Sequence, residues 1–286
     1  MNLPNSTEIM MTQNTEENIR IQCAAGYYYN TAERLNYLCW FLCDLSAAVS
    51  FWSKSVPGVL VMAIIDIGFI GIGIALEYNT KCAADLRKLF DARVLFNTNG
   101  EFDGPQIREL GEKAICKTRR HKKNYEVISQ TDGMSNPPGK KNWYSFTSDK
   151  EPLYAQLECQ AQNKWWNDKM VAIRRRLLCF ATILVMIGSV LFFINQSLPL
   201  AGLINALVIV VIRLIKRIIQ YYKYNRISIR IDTIYESALK NPTEDKIHDL
   251  QKYIDERRQL LIFGMNGVHK KLAPKLTKLY EEISKS

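Results

Sequence analysis

The chain has 286 residues, 48% of them hydrophobic, with 38 Lys and Arg against 28 Asp and Glu for a formal charge of +10. Its mean hydropathy of -0.13 is that of an ordinary soluble protein on averages alone. Seven cysteines, an odd number with no CxxC spacing and no histidine cluster beside them, support neither a zinc site nor a disulfide framework; they read as small apolar residues facing a reducing compartment.

The averages conceal two apolar blocks, 35–78 and 177–219, set in an otherwise polar chain. The first 30 residues are polar and lack the apolar core of a signal peptide, so the first span is expected to act as the insertion signal. A helix is predicted over 18–36, with Ile19, Cys23 and Tyr27 at helical spacing, running straight into the first block. That block divides into spans at 35–52 and 58–76, each long enough to cross a hydrocarbon layer that needs about 20 apolar residues. The five-residue connection 53–57 forces them antiparallel.

Past the second span, 83–94 continues as a helix with Leu86, Leu89, Phe90 and Val94 on one side, until Asn97-Thr98-Asn99-Gly100 breaks it. Pro105 suits a first helical position, and Ile107, Leu110, Ala114 and Ile115 mark an amphipathic helix to about Lys117. It ends in a basic cluster, Lys117, Arg119, Arg120, Lys122 and Lys123. Such a run can bind the phosphates of a nucleotide or RNA; beside a membrane the expected environment is anionic lipid or solvent, and no specific nucleic acid is expected. The Gly- and Pro-containing stretch 130–141 reads as a turn or a mobile loop.

From Pro152 a helix runs through Leu153, Leu157 and Ala161 into a third span, 177–194, which carries no charge; Trp165 and Trp166 suit a membrane interface. A short fourth span, 198–212, leaves the bilayer as a long helix that Asn241-Pro242 stops. Thr243 is a predicted N-cap for a helix bearing Ile247, Leu250, Ile254 and Leu261, and Val268, Leu272, Leu276, Leu279 and Ile283 mark a last amphipathic helix.

The expected fold is therefore all-α: a polytopic membrane protein with four transmembrane helices in two hairpins and a helical cytoplasmic section. The divisions are 1–34 (N-terminal helix), 35–78 (first hairpin), 79–173 (central section), 174–219 (second hairpin) and 220–286 (C-terminal helices). Lys54 is the one basic residue at the hairpin tips, whereas Arg174-Arg175-Arg176, Lys216 and Arg217 flank the other ends. By the positive-inside bias both termini and the central section are cytoplasmic.

Asp44 and Asp66 fall near the middle of the first two spans and Asn205 midway along the fourth. Polar groups at that depth either line a water-filled path or hydrogen-bond across helices, and the sequence leaves both open. Gly68, Gly71 and Gly73 form a small-residue face for close helix packing or a hinge. His121, His248 and His269 are scattered, and there is no glycine-rich phosphate loop, HExxH or GxSxG; an enzyme, a metal and a cofactor are not expected.

Three stretches carry a resemblance: Leu89-Phe90-Asp91 followed by Val94-Leu95, then Asn142-Trp143-Tyr144, and above all 159–168, with Cys159, Gln160, Asn163 and Trp166 ahead of Arg174-Arg175-Arg176. With the order of hairpins and helices, the chain resembles the bacterial S-4TM pore-forming effectors, related to the SLATT group of membrane proteins in prokaryotic conflict systems. It departs at Ser145, where the family often has a proline. The resemblance implies an effector that an immune sensor switches on, with a cyclic nucleotide or a protein as trigger, and that permeabilises the bacterial inner membrane to stop phage. One four-helix subunit has too little interior for an aqueous pore, so conduction implies a homo-oligomer in the lipid membrane. The alternative is a non-conducting scaffold or signalling adaptor binding a partner through its helical cytoplasmic section.

Overall fold

The computed structural model describes residues 3–52, 56–146, 148–194, 200–262 and 266–285; for most of 178–213 it describes the helix path but not the side chains. Among the described residues there are nine helices: α1 (Ser6–Gln13), α2 (Glu16–Trp52), α3 (Val56–Phe96), α4 (Gly104–Arg120), α5 (Lys122–Ile128), α6 (Pro152–Ile194), α7 (Leu200–Lys240), α8 (Glu244–Arg258) and α9 (Asn266–Lys285). Strand pairing among them is confined to one isolated bridge, Asp132 to Lys141.

Four helices dominate, with 37, 41, 43 and 41 residues in α2, α3, α6 and α7. At about 1.5 Å per residue each is roughly 55–65 Å long, about twice the thickness of the hydrocarbon layer. Each of the four divisions drawn on the sequence at 34, 78, 173 and 219 falls inside one of these continuous helices.

The two halves of α3 are buried to opposite degrees. Leu86, Leu89, Val94 and Leu95 are buried in the largest core cluster with Ala24, Ala25 and Phe90, where the small side chains let α2 and α3 approach closely. Toward its start the same helix presents Leu60, Ile64, Ile67, Ile70 and Ile74 at helical spacing, and Ile64 and Ile67 are 70% and 69% exposed. An 18-residue window in Leu60–Phe96 has a mean hydropathy of 2.2 and is 6% buried. An apolar ridge of that size on an isolated chain marks a surface that lipid or another protein covers. The third and fourth predicted spans lie where side chains fall outside the described residues.

Local chemistry accounts for the helix limits. Asp103 caps α4, its carboxylate accepting from Gln106 N at 2.8 Å, with Pro105 in the first turn. Asn97 and Gly100 take positive φ and end α3. Thr243 caps α8, with Oγ1 accepting from Lys246 N at 3.4 Å. α1 was not anticipated. Asn5 and Glu8 close a reciprocal capping box at 2.9 Å, and Ile9 is fully buried. α1 is held to the central section where Gln13 Nε2 donates to Tyr144 O at 2.9 Å and Tyr144 N donates to Gln13 Oε1 at 2.8 Å.

The stretch 130–141 forms a folded strap. The Asp132 carboxylate accepts from Met134 N, Ser135 N and Ser135 Oγ at 2.8–3.0 Å, and Lys140 N donates to Ile128 O at 2.8 Å. A side chain on Gly139 would lie 1.8 Å from Thr131 O, so only glycine fits there.

Candidate functional site

The three stretches that carry the resemblance converge on one buried carboxylate. Asp91 of α3 is fully buried; its Oδ1 accepts from the Tyr144 hydroxyl at 2.8 Å, and its Oδ2 accepts from Gln251 Nε2 at 2.9 Å and from Arg258 at 2.7 Å. Asn163 of α6 donates to the Tyr144 hydroxyl at 2.8 Å, and Gln160 donates to Ile247 O at 3.0 Å and Gln251 Oε1 at 3.3 Å. Arg258 also reaches Asp255 at 3.0 Å, so two carboxylates share one guanidinium. Burial opposes the charge on Arg258, but Asp91 and Asp255 raise its pKa above the ordinary arginine value. Burial, reinforced by Asp91 and opposed by Arg258, pushes Asp255 up to about 6. Cys159 is buried beside this network, and burial raises its thiol well above the usual range, an unreactive setting.

Asn163 and Arg258 of this network also line a cavity of about 340 Å³ bordered by all four long helices and by the strap: Tyr29 of α2, Arg87 of α3, Trp166 of α6, Tyr224 of α7, and Lys140 with Trp143. Its charge is one-sided. Arg87, Lys140, Arg257 and Arg258 line it against Glu33 as the one carboxylate among the described lining residues. Arg257 is matched by Asp168 at 3.3 Å, and Arg258 by Asp91 and Asp255. Arg87 and Lys140 form no direct ion pair among the described residues, although Asp91, one turn along α3, favours the charge on Arg87; each lies over the Trp143 ring, at 4.4 and 4.7 Å from its centroid. Burial, then Arg87, brings Lys140 down to about 8, and burial, then Arg258, lowers Arg87. A second cavity of about 290 Å³ shares Lys140, Trp143 and Trp166.

The residues singled out within the apolar block are not brought to this cavity. Asp66 is exposed on the hairpin and accepts from Ser46 Oγ of α2 at 3.1 Å, a contact of the cross-helix kind; Asp44 is also exposed, and the Asn205 side chain lies outside the described residues. A Cβ on Gly68 would meet Leu42 at 3.9 Å, whereas Gly71 and Gly73 open onto free space. The basic cluster divides: Lys117 donates to Thr31 Oγ1 at 2.9 Å and lies over the Tyr28 ring, while Arg119, Arg120, Lys122 and Lys123 are exposed. Trp166 borders both cavities, and Trp165 packs on Tyr280 of α9 with ring centroids 5.2 Å apart.

Nothing in the sequence marks Arg87, Lys140, Arg258 or Gln251 as site residues. Lys140 sits between Gly139 and Lys141 in a turn-rich stretch, with no periodicity to mark it. Among the described residues no group of His, Cys, Asp and Glu could hold a metal ion.

The family model of the SMODS-associating 4TM effector domain matches residues 7–260. Neither the curated proteins nor the solved structures provide a match. The match covers most of the chain and includes the whole Asp91 network. The chain belongs to this family of membrane effectors.

Proposed function

We propose that the protein is the membrane-permeabilising effector of a bacterial antiphage or conflict system: four spans in two hairpins, both termini cytoplasmic, assembling into a homo-oligomer that opens a path through the inner membrane. Membership of the effector family supports the class of function. The observation that carries the membrane step is the change of burial along α3, from the covered Leu86 and Val94 to the bare ridge of Ile64 and Ile67, within one unbroken helix. A helix built this way holds a folded cytoplasmic section directly on a bilayer segment, so a change in one is transmitted mechanically to the other. The work assigned to the chain is permeation and switching, without catalysis.

Asp66 and Asp44 give the hairpin surface two carboxylates that repeat around a ring of subunits, the chemistry of a cation-favouring path. The test in cells is a potential-sensitive dye together with propidium, with reporters inserted near Gly133 and at Gln196. Depolarisation on expression with the neighbouring genes, a cytoplasmic Gly133 reporter and an external Gln196 reporter are expected. Normal potential at full expression and correct topology would instead favour a non-conducting scaffold.

A further inference from the structure

Beyond the apolar block α7 continues as one helix with two unlike faces. Tyr224, Ile227 and Ile231 are buried, the two isoleucines in one cluster with Leu250 and Ile254 of α8. On the opposite side Ile215, Ile218, Tyr222, Asn225 and Ile229 follow one another at alternating intervals of three and four residues. All five are exposed, Ile218, Tyr222 and Ile229 by 66%, 70% and 65%. Such an interval is that of a coiled-coil seam. Lys216, Arg217, Lys223, Arg226 and Arg230 lie on the same stretch, yet none takes a seam position, so an uncharged line runs along a strongly basic helix.

Lipid reaches only the first part of this line. Arg217 donates to Leu261 O, and Leu261 packs beside Ala32 and Leu76, so Arg217 marks the level at which α2 and α3 enter the apolar block. Ile229 is 12 residues farther along α7. That is about 18 Å along the helix, whereas the headgroup layer is only about 5–8 Å deep. What covers Ile229 is therefore protein.

The pattern selects a second copy of the same helix. Copies inserted in one membrane in the same orientation present parallel α7 helices, and an identical seam on a parallel neighbour meets this one residue for residue. Asn225, in the middle, is the residue type that pairs with its own copy in such a seam and fixes the register. The next two seam positions hold Asp232 and Glu236, which would each oppose its own copy, so the contact is confined to 215–229. The five side chains offer on the order of 600 Å² per subunit, against about 800 Å² per partner in a standard interface between soluble proteins. Subunits already confined to one membrane plane and one orientation lose less freedom on association, so a smaller seam suffices. We propose that the α7 helices of neighbouring copies pack in parallel through 215–229, which places α7 at the symmetry axis of the oligomer. The proposal deepens the oligomer reading under Proposed function and takes the parallel orientation from it.

The test uses the full-length chain in membranes of expressing cells, alone and together with the neighbouring genes. Asn225→Cys is cross-linked by a mild oxidant in a Cys116→Ser background, since Cys116 is the exposed cysteine among the described residues. Lys252→Cys, exposed on α8, is the control. In at least one of the two conditions Asn225→Cys should form a covalent dimer of the chain at least about tenfold faster than Lys252→Cys, because only a seam residue meets its own copy within disulfide reach. Tyr222→Glu together with Ile229→Glu should lower the oligomer mass of the purified protein at unchanged helix content, both side chains being exposed in the single subunit. Equal cross-linking at the two positions in both conditions, an oligomer that keeps its mass in the double variant, or capture of Asn225→Cys by a different protein alone would overturn the proposal. Permeabilisation that persists while Asn225→Cys fails to cross-link would sink the seam and leave the effector reading standing. Cross-linking without any permeabilisation would do the reverse.

Discussion

Tyr144 donates its hydroxyl to the Asp91 carboxylate at 2.8 Å across 53 residues of sequence, and neither side chain is accessible to solvent. The bond ties α3 to the segment before α6, and through Arg258 and Gln251 it draws in α8. A buried carboxylate with three donors is stable only while they all stay in place.

Asp91→Ala should therefore destabilise the packed helical section by about 3–5 kcal/mol, since it strips a buried guanidinium of one partner and orphans a phenol and an amide. Tyr144→Phe should cost about 1–3 kcal/mol, because Asp91 keeps its other donors. Thermal unfolding in detergent gives both values. Similar small losses in the two variants would mean that Asp91 is not the hub of the network.

Asp255 gives the fold a pH dependence. Its pKa is raised from 3.8 to about 6, so between those values the folded chain binds more protons than the unfolded one, and stability falls as pH rises through that window. The loss levels off about one pH unit above the folded value and should be on the order of 3 kcal/mol at most. Asp255→Asn should flatten this component. Melting temperatures of both proteins from pH 4.5 to 7.5 check it, and parallel curves would contradict the assignment.

Gly139 and Gly133, both in the strap, should respond differently. Gly139→Ala would drive a Cβ into the Thr131 backbone, 1.8 Å from its oxygen, whereas Gly133→Ala would meet only the Thr277 side chain, at 3.4 Å from Oγ1 and 4.0 Å from Cγ2. The first should lower the melting temperature and expose 130–141 to limited proteolysis, and the second should be within about 0.5 kcal/mol of the parent. Equal behaviour would mean that the strap is not packed as described.

Gly71 opens onto space within the subunit, with nothing within 4 Å of an added Cβ. Gly71→Leu should thus leave the isolated fold intact, and a drop in oligomer size or toxicity would report contact between subunits. Unchanged oligomer mass in detergent and in lipid would remove this face from the interface.

The helices were legible because their signals are local. Pro105 and Thr243 mark starts, Asn97 to Gly100 marks a stop, and Leu86, Leu89 and Phe90 show the buried side. The short α1 passed unnoticed although Asn5 and Glu8 carry a capping-box spacing, since eight residues give too few turns for a periodicity. The candidate site was legible only as separate stretches. Asp91, Tyr144 and Asn163 were flagged by resemblance, but nothing in their neighbours predicts that they meet, because long-range packing of α3, α6 and α8 brings them together. Arg87 and Lys140 look like surface cations in sequence; only the fold shows that they share the Trp143 ring.

The central claim is that the chain itself opens a path for ions, and Asp66 gives it a signature, since it is exposed on α3 with its Oδ1 bonded to Ser46. The most direct measurement is potassium efflux from liposomes holding the purified full-length protein, with and without the products of the neighbouring genes as trigger, beside Asp66→Asn at matched incorporation. Trigger-dependent efflux that favours cations, reduced severalfold in Asp66→Asn while oligomer size stays the same, is the predicted result. No efflux under any trigger from correctly inserted protein would contradict the account.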